Sequence, residues 1–339
     1  MNKAQGKINN IKIYNFKIFR NLEIKDLKRV NLIGGKNNIG KTAFLEAIEL
    51  VTLPKSIIEI VYCVNRILTR RYNDLKNIEF DFFYDENKEL KIDINNHQKL
   101  SMEIFPLKQQ NFRLLIDDQE ILPEPYMKIW FNHQDRQLPV SMLTKNQKNI
   151  NNFKSKNVKF IPSSSLNTLL ISILYGNLIE FDKEEFLNNS LQLFDQNIKS
   201  LKQIVKENEV VLKVKLTDRL VPLSSLGEGI NRFIAILCAI WASKDGYLLI
   251  DEIENGIHYT NYEKLWKIIF EASKEANCQV FATTHSKECI EAFNKVNKEN
   301  EGAYLEFYMN KKTNNILVKN RDYEQLSYSL SHKGRFRGE

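Results

Sequence analysis

The chain is poor in cysteine, and the four it has, Cys63, Cys238, Cys278 and Cys289, form no CxxC pair and stand in apolar or helical surroundings. That argues against a disulfide framework or a thiolate metal site and for buried free thiols in a reducing compartment. No basic-apolar leader opens the sequence, and the longest apolar run, Phe233 to Ala242, is about half the length a membrane span needs. No internal repeat is visible. These absences exclude secreted disulfide scaffolds, spanning helices and repeat solenoids. They lead us to expect a cytoplasmic protein with no membrane partner.

What is present is a globular composition. Of 339 residues, 43% are hydrophobic and 27% charged, enough for one large core or two small ones. The net charge of +7 permits an anionic partner without demanding one. Short strands are expected at Ile11–Tyr14, Leu22–Ile24 and Arg29–Ile33, the last running into a glycine loop and a helix from Ala43 to about Val51. Residues 78–132 hold five β-rich stretches, at Glu79–Tyr84, Leu90–Ile94, Met102–Phe105, Phe112–Ile116 and Tyr126–Phe131, which fit an antiparallel insertion.

A loop rich in Lys, Asn and Gln, Lys145 to Lys159, leads to a strand ending at Ile161, and Leu166 to Glu207 reads as helical. Then come a strand at Val210–Leu216, a turn at Ser224–Gly229, a helix at Ile230–Ser243, a strand at Tyr247–Ile250, a helix from about Asn261 to Ala276 and a strand at Gln279–Ala282. Strands alternating with helices imply an α/β fold on a mixed, mainly parallel sheet. The expected organisation is a single domain over 1–339. Within it, 1–160 form an N-terminal lobe with the glycine loop and β insertion, 161–224 a helical lobe, and 225–339 the remaining motifs.

Gly35-Lys36-Asn37-Asn38-Ile39-Gly40-Lys41-Thr42 matches G-x-x-x-x-G-K-[ST] between a strand and a helix, the setting a P-loop requires. Its backbone N–H groups, from Gly35, Asn37, Asn38 and Gly40 to Ala43, would wrap phosphates at the helix N-terminus. Lys41 would neutralise the β and γ phosphates of ATP, and Thr42 would bind Mg²⁺. Leu248-Leu249-Ile250-Asp251-Glu252 is an apolar strand ending in two acids, so that Asp251 can serve the metal and Glu252 the attacking water. His285, in Thr283-Thr284-His285-Ser286, ends another β-rich stretch, where a donor would face the γ-phosphate.

Taken together these residues resemble ABC-type ATPases of the RecF, SMC and OLD branch across nearly the whole chain. Asn15-Phe16-Lys17-Ile18-Phe19-Arg20-Asn21-Leu22 is similar to that branch's N-terminal strand pair, which implies that residues near Phe19 and Arg20 approach the nucleotide. Asp251 to His258 resembles its Walker B and D-loop. Ser224 to Arg232 resembles the divergent signature of stand-alone, OLD-like ATPases of prokaryotic defence systems. Aligned on Arg232-Phe233, Gly227 stands where the usual signature serine belongs, with Ser225 two positions upstream. No clear Q-loop glutamine is present, and Ser163–Ser165 occupy its place.

The resemblance implies ATP hydrolysis with Mg²⁺ in a head-to-tail dimer, Ser225, Gly227, Glu228 and Gly229 completing the partner's site in trans. It also implies control of a separately encoded effector protein in anti-phage or abortive-infection defence. About fifty residues follow His285, too few for the TOPRIM nuclease of OLD proteins, and 52–160 lack the heptads of an SMC coiled coil. The alternative is a RecF-like repair or recombination ATPase that binds DNA directly. Contact with DNA or RNA would fall on the basic clusters Arg66, Arg70 and Arg71; Lys145 to Lys159; and Lys333, Arg335 and Arg337.

Overall fold

The computed structural model describes residues 6–71, 79–85, 88–105, 114–116, 119–121, 125–143, 157–206 and 209–332. In chain order the elements begin β1 (Ile11–Phe16), β2 (Phe19–Ile24), β3 (Val30–Gly35), α1 (Lys41–Thr52) and α2 (Ile57–Arg71). Next come β4 (Leu90–Ile94), β5 (Gln98–Phe105), β6 (Leu114–Ile116), β7 (Gln119–Ile121), β8 (Tyr126–Phe131), β9 (Gln134–Pro139) and β10 (Val158–Ile161). Then follow α3 (Thr168–Ile179), α4 (Glu184–Phe194), β11 (Ile198–Lys206), β12 (Glu209–Leu216), β13 (Leu220–Pro222), α5 (Glu228–Ala242) and β14 (Tyr247–Ile250). The chain closes with α6 (Tyr262–Glu275), β15 (Gln279–Thr283), α7 (Lys287–Val296), β16 (Gly302–Asn310), β17 (Asn315–Arg321) and α8 (Tyr323–Ser331).

The central sheet has the order β10-β14-β15-β3-β16-β17, parallel except for the last strand. Alternation sends its side chains to two cores. Ile33, Leu249 and Phe281 point to one core with α1 and α2. Leu32, Leu248, Ile250 and Ala282 point to the other with α5, α6 and α7. A second, wholly antiparallel sheet, β2-β1-β4-β5-β8-β9, covers the α1–α2 side. The expected insertion therefore extends the N-terminal hairpin: Ile11 and Ile13 of β1 pair with Ile94 and Ile92 of β4. The fold is the expected mixed α/β architecture. The cysteines are all buried and free, and among the described residues no helix is long and apolar enough to cross a membrane.

Two elements differ from the reading by pattern. The helical reading of Leu166 to Glu207 holds only to Phe194, because Ile198–Lys206 is a strand of the three-stranded sheet β11-β12-β13. The 161–224 span is thus two helices plus a small sheet. Apolar residues at Ile198, Leu201 and Val205 mimic helical spacing, but a register shift between Ile198 and Ser200 turns Ile198 and Leu201 to the same buried side. Glu79–Phe82 forms a 3₁₀ turn rather than a strand, and Phe83 makes only an isolated bridge to Phe16.

Candidate functional site

The P-loop, the Asp251-Glu252 pair and His285 lie at the carboxyl ends of β3, β14 and β15. Parallel pairing aligns Ile33 with Thr283, and Ile250 with Ala282, so the loops that follow emerge side by side. The P-loop needs glycine at position 40. Its φ is +90°, and a Cβ there would lie 2.6 Å from Ile18 and 2.8 Å from the Phe19 ring. Asn38 also adopts a left-handed conformation, at φ +57°. A cavity of about 640 Å³ opens over Asn37 to Ala43 and is closed by Glu252 and His285.

Lys41 is 5% exposed. Its ammonium donates to the carbonyls of Gly35 (2.8 Å) and Lys36 (2.7 Å) and lies 3.2 Å from His285 Nδ1. Burial pushes it down to about 8, while the carboxylates of Glu254, Asp251 and Glu252 pull the other way. An ammonium is donor only, so His285 Nδ1 is the acceptor and its Nε2–H faces Glu252 Oε1 at 3.4 Å. Lys41, His285 and Glu252 thus form one line across the cavity.

Thr42 Oγ1 donates to the Asp251 carboxylate at 3.0 and 3.2 Å, and Thr283 Oγ1 donates to the same group at 2.7 Å. Burial raises the Asp251 carboxyl, and the two hydroxyls pull it back. Glu252 follows with φ +50°, a conformation costing about 1–3 kcal/mol that surrounding contacts must offset. Its N–H donates to Thr283 Oγ1 (2.8 Å), and its carboxylate accepts from Asn255 Nδ2 (2.6 Å). Glu254 Oε1 accepts from the His285 N–H at 2.6 Å. A half-buried hydroxyl beside a carboxylate is a hard-oxygen donor set, which suits Mg²⁺ in company with phosphate oxygens and waters.

The signature turn lies beside this site without joining the cavity. Ser225 and Gly227 are exposed, and α5 starts after Gly227 with no capping side chain. Glu228 accepts from Ser165 Oγ at 3.0 Å, and Asn255 Nδ2 donates to the Ser163 carbonyl at 3.1 Å, so the Ser163–Ser165 segment touches both the signature turn and the D-loop. Gly229 packs on the D-loop, where a Cβ would meet the Gly256 carbonyl oxygen at 2.3 Å. Gly227 differs: φ is −60° and a Cβ would meet open space. Nothing in its own chain demands glycine there.

Part of the cavity wall comes from neighbours of the residues that the resemblance pointed to. Lys17, Ile18 and Arg71 line it, whereas Phe19 is buried beneath Gly40 and Arg20 faces solvent. Glu46, one turn along α1 from Thr42, binds Lys17 Nζ at 2.7 Å and Arg71 Nε and Nη2 at 2.7 and 2.8 Å. The hints in the sequence were the Asn15–Leu22 segment and the basic cluster itself. Arg66 and Arg70 are engaged internally by fully buried Glu49, and Arg70 stacks 3.8 Å from the Phe160 ring. Burial raises the Glu49 carboxyl, but the two guanidiniums outweigh it and leave it below its ordinary value. The first basic cluster is therefore paired with the buried acids Glu46 and Glu49 of α1, its guanidiniums keeping partial exposure. Most of the Lys145–Lys159 loop, and all of Lys333, Arg335 and Arg337, lie outside the described residues.

Comparison with known proteins agrees with this geometry. An "ATP/GTP phosphatase" of Helicobacter pylori is 28% identical over 341 residues, covering 88% of this chain and 90% of its own. An uncharacterized protein of Methanocaldococcus jannaschii is 34% identical over 94 residues, 27% of this chain and 42% of its own. A crystal structure of an Smc head bound to the C-winged helix domain of ScpA superposes with a TM-score of 0.53 at 14% identity, covering 94% of this chain and 99% of that one. An Smc head with an extended coiled coil, bound to the C-terminal domain of ScpA derived from Pyrococcus furiosus, gives 0.52 at 14% identity, with coverage of 96% and 99%. These two establish the fold: an ABC-type P-loop head. Residues 30–291, from β3 into α7, match the family described as "AAA domain, putative AbiEii toxin, Type IV TA system"; the chain belongs to that family and is an ATPase.

Proposed function

We propose that the protein is an ATP-driven switch of the stand-alone, OLD-like kind, whose hydrolysis centre is the line Lys41–His285–Glu252 above the Thr42–Asp251 pair. The observation that carries this reading is the 3.0 Å hydrogen bond from Thr42 to Asp251, which joins two motifs 209 positions apart at the mouth of the P-loop. Thr42 and Asp251 would hold Mg²⁺, which supplies charge neutralisation for the phosphates. Gly35, Asn37, Asn38, Gly40 and Ala43 present the P-loop backbone to the phosphates, and Lys41 moves its ammonium from two carbonyls onto them. Lys17 and Arg71, anchored on Glu46, add positive charge to the same wall. Glu252 orients and deprotonates the attacking water, and His285 donates to the γ-phosphate and reports its loss.

The same reading has two copies close head-to-tail on ATP, with Ser225, Gly227, Glu228 and Gly229 of one chain covering the γ-phosphate of the other. Gly227 supports it: a glycine with ordinary φ and open space is explained by close approach of another molecule. Opening after hydrolysis would then release or activate a separately encoded effector in defence, in keeping with the toxin system named by the family. The internal pairing of Arg66, Arg70 and Arg71 counts against direct DNA binding of the RecF-like kind through that cluster.

Glu252→Gln tests the reading. The variant should bind MgATP and shift to dimer in size-exclusion chromatography, with turnover reduced at least 100-fold, about 2.7 kcal/mol of barrier. Turnover within tenfold of the parent would assign the base elsewhere.

A further inference from the structure

Arg232 is charged, only 2% exposed, and has no part in the phosphate cavity. It sits on the second turn of α5, and its guanidinium donates only to backbone carbonyls. Nη1 reaches Pro162 O at 2.9 Å, and Nη2 reaches Asp251 O at 2.5 Å and Glu252 O at 2.8 Å. Two of those carbonyls belong to the Walker B turn, where Glu252 is held at φ +50°. The third begins the Pro162–Ser165 segment that touches the signature turn through Ser165 and Glu228. One side chain thus ties the signature helix, the segment after β10 and the water-activating turn together.

We propose that Arg232 is a positioning residue that fixes the Glu252 carboxylate through its backbone and couples that fix to the seating of α5. Glu252 sits in a left-handed conformation that a non-glycine residue holds only under external restraint. Its N–H is fixed by Thr283, and its carbonyl accepts both from Arg232 at 2.8 Å and from the Asn255 N–H at 3.1 Å. Removing Arg232 leaves only the Asn255 turn bond on that carbonyl and the Ile253 N–H to Thr283 O bond on the same peptide, and it cuts the tie to α5, so the turn relaxes and the carboxylate shifts in the cavity. Any shift of α5 at the signature end pulls on the same carbonyl, so closure over a nucleotide is transmitted to the catalytic carboxylate through one planar group. Lysine cannot replace it, because a single ammonium lacks the fork that spans three acceptors. The inference rests on the assignment of Glu252 given above.

Arg232 also lines a crevice of about 220 Å³ with Ser164, Ser165, Leu226, Glu228 and Asn231, which makes chemical rescue feasible. In Arg232→Ala, kcat should fall about 100-fold, the cost of a displacement near one ångström. Affinity for a fluorescent ATP analogue should stay within about threefold, since no phosphate contact is lost. Millimolar guanidinium should restore at least a tenth of the lost turnover. Arg232→Lys, which keeps charge and bulk, should lose at least tenfold in kcat with affinity retained, and it decides the matter if the alanine variant does not fold. Turnover within threefold of the parent in either variant would overturn the proposal, as would parallel loss of kcat and affinity without rescue. Glu252→Gln, assayed alongside, separates the two claims. Full activity there removes the base assignment, whereas loss there with an active Arg232→Ala removes only this one.

Discussion

Binding of ATP should take protons out of solution near pH 8, because Lys41 is held at a depressed pKa by its own pocket. Burial sets that pKa at about 8, against an ordinary value of 10.5. With a pKa near 8 about half the Lys41 side chains are neutral at pH 8, about a tenth at pH 7 and about nine-tenths at pH 9. Phosphates replace two carbonyl contacts with formal negative charge and return the pKa toward its ordinary range. About half a proton should therefore be taken up per ATP bound at pH 8. The nucleotide's own phosphates, with a second ionisation near ~6, are silent there.

The sign extends to affinity. Between the two pKa values the free protein must acquire a proton to bind, so Kd rises with pH, by about 30-fold or roughly 2 kcal/mol between pH 7 and 9.5. The nucleotide-free protein shows the opposite trend. Its folded state binds fewer protons than the unfolded chain in that window, so the Lys41 contribution to stability grows as pH rises. Calorimetric titration at pH 8 in two buffers of different ionisation enthalpy measures the uptake. Identical apparent enthalpies in both would refute the burial argument.

Two substitutions probe the scaffold. Glu49→Gln leaves Arg66 and Arg70 without their shared carboxylate and should cost about 3–5 kcal/mol in urea unfolding. The same depressed carboxyl predicts that parent stability falls as pH drops below the ordinary carboxylate range toward its folded pKa, and that Glu49→Gln lacks this step. Gly229→Ala places a methyl against the Gly256 carbonyl and should lower stability by about 1–3 kcal/mol in thermal denaturation. Gly227→Ala, facing open space, should unfold with the parent.

Much of the site was legible because its parts are local. The P-loop, the Asp251-Glu252 pair and His285 each announce themselves within a few residues of a strand end, and parallel register then aligns the strand ends. The antiparallel insertion was legible by alternation at Leu90–Ile94 and Tyr126–Phe131. What escaped were side chains whose meaning depends on distant partners. Glu46 joins Lys17 and Arg71 across 29 and 25 positions, and Arg232 reaches Pro162 across 70. A basic cluster on α2 therefore read as a candidate nucleic-acid face although buried acids of α1 engage it. Strand β11 escaped because its bulge imposes on a strand the three-residue spacing normally diagnostic of a helix.

The most direct test of an ATP switch completed in trans is a mixing experiment. Lys41→Ala removes the phosphate contact from one protomer. Gly227→Asp spoils the signature turn of the other by putting a carboxylate where a γ-phosphate is expected, without a clash in its own chain. Each should be inactive alone, and mixed dimers should recover up to about half of the parent ATPase per dimer, because one composite site is intact. Verified mixed dimers with no recovered turnover would contradict the account, as would full activity of Gly227→Asp alone.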